Sequence, residues 1–461
     1  MKNMPRCVPV VMAVALAAAG TVACSTAGTH DAPTAGVEPG DSVLVAVDPG
    51  RGADATTQTG ATPDNCRVCL AGYTCCGTLC RDLQTDPNNC GSCGHVCASG
   101  DSCCSGSCVN EQTSVTHCGA CDVACSGDGS CVSGACLPPS GWLYTSGGKI
   151  YLSNGSGSTG GSGGTQWMGR GVNVDDIFLG GYNPTLTLVP DAGGTLETLV
   201  QTAITGWKPN FLRVSLYLDS PPYLKESWVT GDAGAYKTPM TNFIKWIGDN
   251  YLDVWVLVTL RSDASMLDGG EDGTGLPTTM TDATYVALVD SFSTMSTVLF
   301  GISNEPGGYN TFDAGTVSSA MSHAVGVIRA EENRLAVPHH IVSVQGTDYT
   351  QDISYYSTSP LSYDNVVYEY HGYQPVTGAY TYTSIPVIVG EYGPDHVTGA
   401  FDAGAFYGNV ETKQIPNLAW DMEPYNDDPP DLVQVNHSDT HLDASTWGAV
   451  VQPYLLNPAA Y

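Results

Sequence analysis

From Gly141 onward the chain alternates between two hydrophobic rhythms. Short apolar or β-branched runs occur at residues 166–174, 211–217, 252–260, 298–303, 340–345, 365–370, 386–391 and 417–421. Runs of this length and composition read as strands buried on both faces. Between most of them apolar positions recur at three- and four-residue spacing, most clearly at 240–251, 282–295 and 317–333, which reads as helix. Eight strands alternating with helices predict an α/β fold, a (β/α)8 TIM barrel with insertions over residues 141–461. An open doubly wound sheet is the competing arrangement. Its first strand should lead into a glycine-rich phosphate turn, whereas the glycines of 154–164 precede that strand.

Neither rhythm occurs upstream. Lys2 and Arg6 flank an apolar run at 8–20 that is too short to span a bilayer but suits the core of a signal peptide over residues 1–24. Its end, Thr21-Val22-Ala23-Cys24-Ser25, resembles a bacterial lipobox, which implies export with a lipid anchor at Cys24. Thr21 departs from the Leu usual there, so plain secretion is the alternative. Residues 25–65 are mostly Ala, Gly, Thr, Pro and Asp; they cannot bury enough surface to offset chain entropy and read as a flexible tether.

Residues 66–136 hold 16 of the 18 cysteines. Cys90, Cys93, Cys97, Cys103 and Cys108 recur 28 residues later as Cys118, Cys121, Cys125, Cys131 and Cys136, and a shorter copy begins at Cys66 and Cys69. An even number of cysteines behind an export signal predicts a disulfide-rich N-terminal module of up to eight bridges, which replace a core the segment lacks. The pairs Cys90/Cys93 and Cys118/Cys121 also have zinc-ligand spacing, but an oxidising compartment favours disulfides.

Charge narrows the partners. With 46 acidic against 16 basic residues the formal net charge is −30, which repels phosphate backbones and argues against nucleic acid. A neutral polysaccharide is indifferent to it. In a barrel of this kind catalytic groups sit at the C-terminal ends of strands. Glu305 ends the fourth run, in Ile302-Ser303-Asn304-Glu305-Pro306, and Glu391 ends the seventh, in Val389-Gly390-Glu391-Tyr392. Two carboxyls facing each other across the mouth are what glycosidic hydrolysis needs: one protonates the leaving oxygen while the other attacks C1 or activates water.

These motifs resemble glycoside hydrolase family 5, a large family of cellulases and mannanases, over nearly all of residues 141–461. Residues 149–155 and 169–173 are similar to its opening hairpin and first strand. The resemblance implies that Glu305 is the acid/base and Glu391 the nucleophile of a retaining β-glycosidase. It further implies that Arg213 orients the nucleophile, that Asn304 binds substrate, and that His371 and Tyr373 bond to substrate and nucleophile. Trp420 would be the platform beneath the sugar being cleaved. A cation beside Glu391 would keep it ionised. Glu369 shares a strand face with His371 and reads as a paired buried acid. The favoured substrate is a β-1,4-glucan cut internally by a monomer with no cofactor and no metal. A β-mannanase, an exo-acting glucanase and a non-catalytic glycan-binding surface protein are the alternatives.

The family's third strand usually delivers a histidine, whereas Leu260-Arg261-Ser262-Asp263 stands here, which opens the question of subfamily and substrate. Tyr223, Trp228 and Tyr349 could stack on sugar faces, while Trp246 and Trp255 read as core. Acidic loops at 262–275 and 427–431 lack EF-hand spacing and read as solvated loops rather than calcium sites.

Overall fold

The eight apolar runs become eight parallel strands that close into one barrel in a computed structural model. It describes residues 69–125, 129–155, 163–174, 196–217, 237–261, 275–279, 281–306, 312–373, 381–394, 399–422, 432–435 and 442–461. The expected signal peptide, Cys24, the expected tether and Cys66 lie outside the described residues, as do Tyr223, Trp228, Asp263 and the acidic stretches around Asp268 and Asp427. In chain order the barrel strands are β1 (Arg170–Val174), β2 (Phe211–Tyr217), β3 (Trp255–Arg261), β4 (Val298–Gly301), β5 (Val342–Val344), β6 (Val366–Tyr373), β7 (Val387–Gly393) and β8 (Asn417–Ala419). Each pairs with its sequence neighbour, and β8 returns to β1, so the doubly wound alternative is excluded.

Among the described residues the outer ring holds α1 (Leu196–Trp207), α2 (Lys237–Asn250), α3 (Asp282–Phe292), α4 (Ala314–Leu335), α5 (Ala403–Lys413) and α6 (Gly448–Leu456). Local chemistry sets their ends: Asp313 and Asp402 each accept a backbone N–H three residues on, capping α4 and α5. Alternate strand residues such as Leu212, Val214 and Leu216 face these helices and join the large core, which also takes up Trp246. The intervening residues point inward and change character along the barrel. At the N-terminal end Phe211, Trp255, Leu257, Leu299, Val367, Ile388 and Leu418 form a dry layer with Trp167.

The first apolar run is split. Gly164–Gln166 pairs with the hairpin Leu143–Ser146/Lys149–Ser153, and the barrel strand begins only at Arg170. The reason is packing: Trp167 lies edge-on to Phe211 and Trp255, at 5.1 and 5.5 Å, closing the barrel floor together with Leu143 and Ile150. Above this floor the inward residues turn polar and are still buried, as with Asn173, Arg213, Thr259, Ser343 and Glu369.

The cysteine-rich segment forms three-residue hairpins, Thr74–Cys76/Leu79–Arg81, Ser102–Cys104/Ser107–Val109 and Ser130–Val132/Ala135–Leu137. Such short ladders are not stable alone. Bridges Cys69–Cys80, Cys97–Cys108 and Cys125–Cys136 recur at a separation of 11, and Cys90–Cys103 and Cys118–Cys131 at 13. Cys76–Cys93 and Cys104–Cys121, 17 apart, tie each copy to the next. Both cysteines of each zinc-like pair are thus bonded to different partners, which leaves no thiolates for a metal.

Candidate active site

The polar upper layer of the barrel converges on two glutamates. Glu305 follows β4 and Glu391 lies within β7, three strands further round the ring. With the His371 ring nitrogen, one carboxylate oxygen from each falls within a cluster whose atoms all lie within 4.8 Å of one another. Glu391 is buried, whereas the side chain of Glu305 keeps a 22% exposed surface toward the mouth.

Glu391 is held from two sides. Arg213, fully buried on β2, donates from Nη1 to Glu391 Oε1 at 2.9 Å, and the Tyr373 hydroxyl donates to Oε2 at 2.9 Å. The same guanidinium donates to Asn173 Oδ1 at 3.0 Å and to Asn304 Oδ1 at 2.6 Å. A planar fork with five donors suits this task, since one side chain then fixes groups from β1, β4 and β7 together. Burial pushes the Tyr373 phenol well above its ordinary value, and the negative charge of Glu391 adds to it, so Tyr373 remains a hydrogen-bond donor.

Glu305 is held through both its backbone and its side chain. It adopts the left-handed region at φ 45°, which disfavours a side chain with Cβ, and its N–H donates to Gln345 Oε1 at 2.5 Å. Gln345 is buried just beyond β5 and also accepts from the Thr350 hydroxyl at 3.0 Å. The acidic side chain of Glu305 meets His371 Nδ1 at 2.8 Å, and Glu391 Oε2 is 3.5 Å from the same nitrogen. On its far side, His371 Nε2 lies 3.0 Å from Glu369 Oε1. Burial alone would drive the imidazole toward neutrality, but Glu391, Glu305 and Glu369 outweigh it and raise its pKa to about 9. It is therefore a cation at neutral pH.

Trp420 directly follows β8; it is half-buried, its N–H donates to the Tyr392 carbonyl at 3.0 Å, and its own carbonyl accepts from Trp447 Nε1 at 2.8 Å. Tyr349 is half-buried in the loop after β5, with φ 51°. The residues expected from sequence, Arg213, Asn304, Glu305, His371, Tyr373 and Glu391, thus meet in one hydrogen-bonded network. Sequence reasoning missed Gln345, Asn173 and Ser343. Gln345 stands at the C-terminal end of its run, where the rule that found Glu305 and Glu391 could have found it.

A family model described as cellulase (glycosyl hydrolase family 5) matches residues 182–426, and one described as the stigma-specific STIG1-like protein family matches residues 57–138. No curated protein sequence matches the chain. Among solved structures, the catalytic domain of an endoglucanase from Thermobifida fusca is similar at a TM-score of 0.53 and 16% identity, covering 68% of this chain and 97% of that one. A β-glucanase from Saccharophagus degradans, solved with cellotetraose, gives 0.50 and 16%, covering 68% and 93%. At such identities these likenesses establish the fold. The family model spans more than half of the 461 residues, and on that ground the chain belongs to glycoside hydrolase family 5.

Proposed function

We propose that the protein is a retaining endo-β-1,4-glycanase, with glucan the favoured backbone, in which Glu391 attacks the anomeric carbon and Glu305 serves as acid and then base. The observation that carries this reading is the short separation of the two carboxylates, one oxygen of Glu305 lying within 4.8 Å of one oxygen of Glu391. Retaining enzymes hold their carboxyls about 5–5.5 Å apart, and inverting ones about 6.5–9.5 Å apart to admit a water. Charge balance supports the same assignment. Arg213 and His371 supply two cations, and Glu369 and Glu391 two anions, so a proton on Glu305 makes the cluster neutral. That proton is the one the leaving oxygen requires.

Arg213 and Tyr373 would hold Glu391 ionised and aimed, ready to form the glycosyl-enzyme. As Glu391 loses its charge to the new bond, Tyr373 and Arg213 remain on its oxygens. Asn304 Oδ1 is committed to Arg213, so a contact with the sugar 2-hydroxyl would come from Nδ2. Trp420, directly after β8, would offer an apolar face for the ring at the cleavage site. The lipobox-like segment ending at Cys24 supports a surface lipoprotein, and loss of labelled palmitate in Cys24→Ala would bear on that point.

Reducing-sugar release from carboxymethyl cellulose, mixed-linkage glucan, glucomannan and galactomannan tests the reading, with Glu391→Ala as control. Glucan hydrolysis that disappears in Glu391→Ala, with the β-anomer formed first by proton NMR, is expected. Activity confined to galactomannan would make the enzyme a mannanase. Binding without turnover by the folded protein would overturn the catalytic reading.

A further inference from the structure

Glu369 is fully buried in the middle of β6, where an ionised carboxylate needs compelling partners. It has them on three sides. Oε1 lies 3.0 Å from Arg213 Nε and 3.0 Å from His371 Nε2, and Oε2 accepts from the Ser343 hydroxyl at 2.6 Å. A fourth contact is with backbone. Between β6 and β7 the register runs Tyr370 to Val389 and then His371 to Glu391, so Gly390 is the extra residue of a bulge. A Cβ on residue 390 would stand 2.1 Å from Glu369 Oε1. The carboxylate therefore fills the space under the bulge that turns Glu391 toward the mouth.

We propose that Glu369 is a positioning residue of this site: its carboxylate orients Arg213 against Glu391 and His371 against Glu305, and it lies in the gap left by Gly390. The proposal rests on the assignment of Glu305 and Glu391 given above. Glu369 touches neither carboxyl in this role and acts through the two cations. Those cations differ in kind: Arg213 is permanently charged, whereas His371 stays charged only while enough negative neighbours face it. The groups facing His371 are Glu305 after β4, Glu391 on β7 and Glu369 on its own strand; Tyr373 and Asp421 border the same cluster, and Ser343 supports Glu369 from β5. Ionised Glu369, held near a pKa of about 2 against the opposing effect of burial by Arg213, His371 and Ser343, is the neighbour that stays negative while Glu305 gains and loses its proton.

Glu369→Gln keeps the shape and removes the charge. Two readouts on the full chain test it. In protein labelled with nitrogen-15 histidine, with the His371 signal assigned through His371→Gln, the imidazolium should lose its proton at least about one pH unit lower in Glu369→Gln than in wild type. In kinetics, kcat should fall tenfold or more with KM nearly constant, and the alkaline limb of kcat/KM should move to lower pH by the same amount. A folded Glu369→Gln whose His371 titration and pH profile are unmoved, whatever its melting temperature, would overturn the proposal. Should Glu369→Gln not fold, Ser343→Ala removes one donor to Glu369 and should weaken kcat severalfold; unchanged kcat and titration there would overturn it equally. If wild type hydrolyses none of the glycans, the functional reading falls while the histidine titration still decides whether Glu369 governs His371.

Discussion

Arg213 joins Asn173, Asn304, Glu369 and Glu391 through one guanidinium. It is fully buried and compensates two carboxylates, so Arg213→Met would leave Glu369 and Glu391 without it in the buried polar layer. Breaking a buried pair from one side costs about 3–5 kcal/mol. Urea unfolding of Arg213→Met should show a loss of this size together with loss of activity; a variant as stable as wild type would mean that water reaches and screens the network. Glu305→Ala makes a separate point. Its activity on polysaccharide should drop by about 10²–10⁴-fold, while an aryl glycoside whose phenolate leaves unaided should suffer far less in the first step. Equal losses on both substrates would count against Glu305 as the acid. Why some of these residues could be read from sequence and others not is physical. Glu305 and Glu391 end apolar runs, where an ionisable group is unexpected, and Arg213 interrupts one. Gln345, Ser343 and Asn173 are neutral and small enough to pass as ordinary strand residues, and only their shared partners in space give them meaning.

At the scale of elements, strands announced themselves because a barrel buries both faces of each one, giving runs that solvent-facing sheets lack. The split of the first run at Trp167 was invisible, since Trp167 and Met168 read as a continuation of the apolar run, and only the packing of Trp167 into the barrel floor separates Gly164–Gln166 from β1. Helices α5 and α6 were equally quiet: Ala403–Lys413 buries few side chains, and Gly448–Leu456 contains Pro453. In the cysteine-rich segment the 28-residue repeat was plain, but its connectivity was not, because sixteen cysteines allow very many pairings. The ladder of bridges makes two predictions. Cys75, which bears no bridge among the described residues, occupies the repeat position of Cys103 and Cys131, both of which are bonded to an earlier cysteine. Thiol titration of the unreduced module should therefore find Cys75 blocked; a free thiol there would mean that the first copy breaks the repeat. The barrel has no cysteine after Cys136, so reductant should make residues 69–136 sensitive to protease while leaving glycan hydrolysis intact. Parallel loss of both would show that the module supports the barrel.

For the molecule as a whole, buried charge and surface charge make opposing demands on pH. His371 binds its proton more tightly when folded, up to about 9, than at its ordinary 6.5. It therefore contributes stability that is fully present below pH 6.5 and is lost as pH rises through 9. Glu369 is shifted the other way, from 4.5 to about 2, so its contribution is present above 4.5 and is lost as pH falls toward 2. Glu332, Asp364 and Glu411 are also shifted down, each against the effect of its own burial, and add to the acid-side loss. Stability should thus be greatest between pH 4.5 and 6.5. A net charge of −30 complicates the alkaline side, because surface repulsion also grows there. Salt separates the two. In roughly 1 M salt the screening length is about 3 Å, which suppresses repulsion across the surface but hardly reaches a buried imidazolium. Thermal unfolding followed from pH 6 to 9 in high salt should still decline, and His371→Gln should flatten that decline. A wild-type curve already flat in high salt would assign the whole alkaline effect to surface charge and leave the buried cluster without a part in it.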